Sequence, residues 1–262
     1  MGKKFELTDK FIINVFGIKL FQIKCTKSFK YAQKGDLGGY VEKEGNLDQE
    51  NDAWVYGNAQ VSGDAQVSGD AQVSGNARVY GNAWVSGDAR VSGDAQVSGN
   101  ARVSGDAQVS GNAQVSGNAR VSGDAQVSGN ARVYGNAWVS GDARVSGDAQ
   151  VYGNAWVSGN ARVSGDAQVS GNAWVYGNAQ VYGDANIKNN NEHCGFDGFG
   201  SCNRHTHAYL TKEKKVEITC GCFRGSIEEF EKKVEETHSG TIYEKQYKAI
   251  INVIKIKFGL TD

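Results

Sequence analysis

From Val55 to Val181 a valine recurs at every sixth position, twenty-two times without a slip, and Ile187 extends the register by one more step. Each valine opens the hexad Val-(Ser/Tyr)-Gly-(Asn/Asp)-Ala-x. In a unit such as Ala59-Gln60-Val61-Ser62 the alanine and valine alternate with polar residues, so both apolar side chains share one face of a short strand. The Gly-Asn or Gly-Asp that follows is a turn dipeptide, because these residues tolerate positive φ. Two architectures could use such a unit. A meander of hairpins about four residues long would leave one valine face open to water. A coil that turns a corner every six residues encloses every valine, and burial decides for the coil.

The hexad resembles the hexapeptide repeat of left-handed parallel β-helices, in which the aliphatic residue and the small residue two before it both point inward. That resemblance implies a mainly β triangular prism that closes one coil every three hexads, or seven to eight coils here. At a strand spacing of about 4.8 Å the prism is roughly 35 Å long. The left hand is implied by the resemblance alone, since ordinary parallel crossovers are right-handed.

Wrapping the chain at three hexads sorts its outward residues. One face carries Gln66, Trp84, Arg102, Arg120, Trp138, Trp156 and Trp174, so four of the five tryptophans fall on one column. Tyr80, Tyr134 and Tyr152 lie across the same corner. The sequence predicts an aromatic edge with two arginines in its middle. Clustered exposed aromatics mark surfaces for a partner chain, a sugar or a flat ligand. The plainer reading is copying: residues 76–97 and 130–151 are identical, and stacked aromatics also support a coil by cross-strand contact. Both readings stay open at the level of sequence. The remaining faces are Ser, Gln and Arg, without the threonine ladders that ice-binding surfaces resemble. Ten Asp against seven Arg give the repeat a charge of about −3, too mild for a DNA mimic and too acidic for binding a phosphate backbone.

Outside the repeat the patterns change. Residues 1–46 read as an N-terminal β cap, with two strands between Phe11 and Lys24 joined near Phe16-Gly17, because a solenoid needs its apolar end covered. Val41 and Leu47 are six apart but two residues out of phase with Val55, which suggests a degenerate first coil with an insertion ahead of the regular hexads of the 47–188 β-helix. Residues 189–262 read as a small α/β domain of two strands and two helices. Thr206–Leu210 and Val216–Thr219 are the strands. Ser226 and Glu229 form a capping-box pair before a helix with Ile227, Phe230 and Val234 on its buried face. Tyr243–Phe258 is the second helix, apolar at Tyr247, Ile250, Ile251 and Ile254.

Composition changes little in this picture. Net charge is −1, no apolar run is long enough to span a bilayer, and the N-terminus lacks a signal-peptide stretch, so a cytoplasmic location in a bacterial host is expected. The five cysteines are an odd count, with four near the C-terminus, and do not read as a disulfide framework.

The flanks carry a second resemblance. Gly35-Asp-Leu-Gly-Gly-Tyr-Val-Glu42 leading into Asn46-Leu47 is similar to the entry segment of uncharacterised hexapeptide-repeat proteins of phages, prophages and bacteria. The stretch from Cys220 to Phe230, with Glu235-Glu-Thr-His238 and Tyr247, resembles a small terminal domain of phage proteins. This implies a phage or prophage setting and no established activity.

Chemistry finds little footing. Acyltransferases with this coil use a histidine base and extruded loops, yet all four histidines (His193, His205, His207, His238) lie beyond the repeat and no hexad is interrupted. His193, Cys194, Cys202, His205, His207, Cys220 and Cys222 offer ligand types suited to zinc, but Cys220-Gly-Cys222 is one residue short of a Cys-x-x-Cys knuckle. The expectation is therefore no cofactor, no metal and no catalysis, and a partner that is neither nucleic acid nor membrane. The chain reads as a β-helical scaffold that presents its aromatic edge and terminal domain to a protein partner, a host protein among the candidates. Self-association, or inhibition of a host defence protein, is the alternative.

Overall fold

The computed structural model describes residues 2–260. Strands β1 (Phe5–Ile13), β2 (Lys19–Cys25) and β3 (Leu37–Val41) precede twenty-three two-residue strands, β4 to β26, running from Trp54–Val55 to Asn186–Ile187. Four further strands follow: β27 (His193–Phe199), β28 (Arg204–Leu210), β29 (Val216–Cys220) and β30 (Phe223–Gly225). Helices α1 (Ile227–His238) and α2 (Ile242–Phe258) end the fold.

The short strands form a parallel β-solenoid of about eight coils. Each pairs with the strand three hexads away, as Gln96–Val97 pairs with Arg78–Val79 on one side and Gln114–Val115 on the other. Three faces result. One is a sheet of eleven strands that includes β1, β2 and β3, the second has eight strands, and the third, carrying Trp84 to Trp174, has seven. Every repeat valine from Val55 to Val181 is fully buried, and every repeat alanine is at most 2 % exposed. Alternation produces this result: the residue between each alanine and valine points out, and the coil has no other interior.

The corners need glycine. From Gly57 to Gly183 each corner glycine holds a positive φ, +68° at Gly117 for example. A Cβ at Gly117 would also meet the backbone of Gly135 at 3.0 Å. The turn residue after the glycine continues the ladder, as where the Asn100 N–H donates to the Gly117 carbonyl at 2.8 Å. Backbone pairing therefore runs around two of the three corners as well as along the faces.

Both ends of the prism are covered. Val41 pairs with Val61 and Leu47 bridges to Val67, spacings two residues longer than those of the later coils. The extra residues lie between Leu47 and Val55, where the buried Lys4 ammonium donates to the carbonyls of Asn51 and Ala53. Burial pushes the Lys4 ammonium down to about 8. Buried Asn46 donates through its amide to the carbonyls of Gly63 and Ala65, replacing backbone pairing where the coil is irregular. Phe5 and Phe29 pack edge-on against Trp54, the fifth tryptophan, with centroids 6.4 and 5.4 Å away. Trp54, an outward residue of its strand, is 1 % exposed beneath these two rings.

At the other end, Tyr209 of β28 enters the prism's core cluster. Its hydroxyl donates to Glu217 at 2.6 Å and accepts the Tyr182 N–H. Ala185 bridges to Thr211, and the Thr219 hydroxyl donates to the Gln180 carbonyl at 2.9 Å. The terminal sheet is antiparallel in the order β27-β28-β29-β30, so it has four strands where the sequence pattern predicts two. His193–Phe199 escapes prediction because it carries glycines at 195 and 198 and a register shift between Phe196 and Phe199. The helices follow their pattern closely. The Ser226 hydroxyl accepts the Glu229 N–H, the Glu229 carboxylate accepts the Ser226 N–H, and Ile227, Phe230 and Val234 are buried. Tyr247, Ile250, Ile251 and Ile254 are the buried residues of α2.

Candidate functional site

The seven-stranded face holds Gln66, Trp84, Arg102, Arg120, Trp138, Trp156 and Trp174 in one column, each the outward residue of its strand. Trp138 and Trp156 meet edge to face at 4.9 Å between centroids, and Trp156 and Trp174 are tilted at 5.0 Å. The Arg102 guanidinium lies 5.7 Å from the Trp84 ring and that of Arg120 lies 5.6 Å from Trp138. Each arginine thus screens one aromatic face by a cation–π contact. The Nε1–H groups of Trp84 and Trp138 donate to the hydroxyls of Ser68 and Ser122, which fixes both rings across the preceding coil. Even so, Trp84, Trp156 and Trp174 stay 42 %, 37 % and 45 % exposed. The column is a cross-strand ladder and, at the same time, an apolar surface facing water.

Tyr80, Tyr134 and Tyr152 follow the strands of the eleven-stranded face and stand at the corner shared with the tryptophan face. Tyr134 and Tyr152 stack in parallel at 4.9 Å, and their hydroxyls donate to Gln150 and Gln168 of the next coils. Tyr80 donates to Gln96 and packs against Phe16, at the tip of the β1–β2 hairpin, 5.2 Å away. These three rings are half-buried.

One sorting goes unnoticed in the sequence until the Asn/Asp choice is also wrapped at three hexads. At the tyrosine corner, Asn82, Asn100, Asn118, Asn136, Asn154 and Asn172 form an unbroken amide ladder, each Nδ2 donating to the next Oδ1 at 3.0–3.1 Å. The corner on the other side of the tryptophan face carries Asp70, Asp88, Asp106, Asp124 and Asp142 in successive coils. The tryptophan face is thus bordered on one side by a neutral hydrogen-bonded rail and on the other by an acidic one that gives way to Asn160 and Asn178 beside Trp156 and Trp174.

Where the column ends, it meets the terminal domain in an open cleft of about 600 Å³. Trp174 and Tyr176 form one wall, and His193, Asp197, His205 and His207 face them. Strand alternation explains why the histidines and cysteines, neighbours in sequence, do not form one cluster. His205 and His207 alternate along β28 with Thr206 and Ala208, and His193 alternates with Cys194 on β27. The histidines lie on the prism side. Cys194 and Cys220 pack with the apolar core beneath the helices, where Cys220 meets the Thr206 hydroxyl at 3.3 Å. Cys202 and Cys222 are exposed. Among the described residues no three His, Cys, Asp or Glu side chains converge as a metal site would require. Burial pushes His193 down to about 4, with Lys257 adding to the shift, and His207 down to about 3, with His193 adding to it. Both rings are therefore neutral near pH 7.

No helix among the described residues is long and apolar enough to cross a membrane. No curated protein matches the chain. Residues 71–87 match the YdcK β-solenoid repeat. Residues 101–203, under half of the chain, match the bactofilin family, described as polymer-forming and cytoskeletal. The bactofilin match spans the later coils and the first terminal strand.

Proposed function

We propose that the chain is a non-catalytic structural scaffold that assembles with further copies of itself through its tryptophan face. The observation that carries this reading is the column of exposed Trp84, Trp156 and Trp174 on a regular prism whose backbone is fixed by continuous ladders. Tryptophan and arginine dominate the energetics of protein interfaces, and large apolar patches rarely stay uncovered on soluble monomers. A second copy is preferred to a foreign partner because of the similarity to a polymer-forming family. The covered ends point the same way: the β1–β3 segment packs over the first coil and Tyr209 enters the core at the other end, which leaves the sides for contact. A phage setting and a host partner are narrower expectations that follow only from the flanking motifs.

Assembly is tested by sedimentation equilibrium over a range of concentrations. The full chain is expected to exceed its 28.1 kDa monomer mass. Trp138→Ser, Trp156→Ser and Trp174→Ser combined are expected to weaken association by about 100-fold or more. Their side chains project outward, so the valine core and the melting transition should largely persist. An unchanged mass for the triple variant would sink the tryptophan-face reading.

A further inference from the structure

The cleft between the last coil and the terminal domain has a donor deficit that can be read atom by atom. The His207 Nδ1 lies 3.3 Å from the Gln180 carbonyl, which only accepts, so Nδ1 carries the proton of this neutral ring. His207 Nε2 is then a lone pair, and His193 Nδ1, 3.1 Å away, must donate to it. That leaves His193 Nε2 as a lone pair as well. It faces Asn190 Oδ1 at 3.4 Å. The Asn190 amide cannot be turned around, because its oxygen accepts the Trp174 backbone N–H at 2.8 Å. Two acceptors therefore face each other with no hydrogen between them.

A carboxylate belongs to the same cleft. His205 Nδ1 lies 2.7 Å from Asp197 Oδ1 and donates its proton to that carboxylate. The His205 side chain is 9 % exposed, and its Nε2 is buried without a partner. Asp197 remains 63 % exposed beside it. No lysine or arginine lines the cleft, and the Lys257 ammonium is held on the Asn190 carbonyl at 3.2 Å. The rings of Trp174 and Tyr176, edge to face with centroids 6.2 Å apart, also line the cleft and are 45 % and 63 % exposed.

We propose that this cleft binds an organic cation, an ammonium or guanidinium group, between the Trp174–Tyr176 wall and the acceptors of His193, Asn190 and Asp197. Such a group supplies what each side lacks: N–H donors for the lone pairs and positive charge for the carboxylate and the aromatic faces. A neutral donor would satisfy the lone pairs and leave the carboxylate unneutralised. A metal ion would need ligands that converge, and these do not. The site shares Trp174 with the proposed assembly face, so its test uses Asp197 and Tyr176, which lie outside that column.

The test uses the full chain, with agmatine as probe, followed by calorimetry and by the ring-nitrogen NMR signals of the histidines. Saturable binding that moves the His193 Nε2 signal is expected. Asp197→Asn and Tyr176→Ala, both at exposed positions, should each weaken it by about tenfold or more. A capped Gly-Arg-Gly peptide that binds at least as well as agmatine would identify a protein side chain as the source of the cation. Agmatine binding without peptide binding would identify a free small cation. No saturation up to about 10 mM, weaker than any useful affinity, would overturn the proposal. So would undiminished binding by Asp197→Asn, or stoichiometric zinc uptake by a protein that ignores agmatine.

Discussion

Val121→Asp is expected to split the solenoid in two. Val121 is fully buried at the centre of the tryptophan face, paired with Val103 and Val139 in the coils on either side. A carboxylate there faces stacked valines and alanines with no cation or donor inside the prism to receive it. Burying an unpaired charge costs more than most substitutions, about 4 kcal/mol or above. Each coil contacts only its neighbours, so the damage cannot be spread over the whole core. Two melting transitions, or one lowered by at least about 10 °C, should replace the single transition of the parent, with proteolysis near residue 121. A parent-like melting curve would mean that the valine column is not the core.

Trp54→Ala should be the most damaging single truncation at the N-terminal end. Removing a buried tryptophan costs about 3–5 kcal/mol where the cavity cannot collapse. Here Phe5 and Phe29 both lose their edge-to-face partner, and the Lys4 ammonium near the Phe29 ring loses part of its cover. Hydrogen exchange should show β1, β2 and the first coil opening while the coils beyond about residue 100 keep their protection. Uniform loss of protection along the prism would contradict a local capping role. Trp54→Phe keeps an aromatic ring in place and should recover part of the loss.

Much of this molecule is legible in its sequence, and the reason is physical. A two-residue strand, a glycine corner and one interior admit a single register, so Val55 to Ile187 fix the coil, and wrapping the coil fixes the Trp84–Trp174 column. The helices are equally plain, because Ser226, Glu229 and the Ile227/Phe230/Val234 spacing are local signals. Trp54 is different. It occupies the outward position of its hexad, as Trp84 does, and only the packing of Phe5 and Phe29 over it turns an outward residue into core. The cleft is also illegible from local pattern. His193, Cys194, His205 and His207 look like one ligand cluster until the strand pairing Gly195–His207 shows which side chains share a face. The Asn and Asp rails were within reach, since they need only the same wrapping that exposes the tryptophans.

The central claim is that assembly depends on where the tryptophans point and not on how many there are. Two deletions separate these. Removing residues 112–129 takes out three whole hexads, joins Gly111 to Asn130 and leaves all four tryptophans on one column. Removing residues 142–147 takes out one hexad and joins Gly141 to Asp148. Every valine keeps its register, but Trp156 and Trp174 move to a different face from Trp84 and Trp138. Both proteins should fold, because neither junction breaks the repeat. The decisive measurement is solution mass at matched concentration. The three-hexad deletion is expected to assemble like the full chain and the one-hexad deletion to fall towards monomer. A one-hexad deletion that assembles as well as the full chain would contradict the claim.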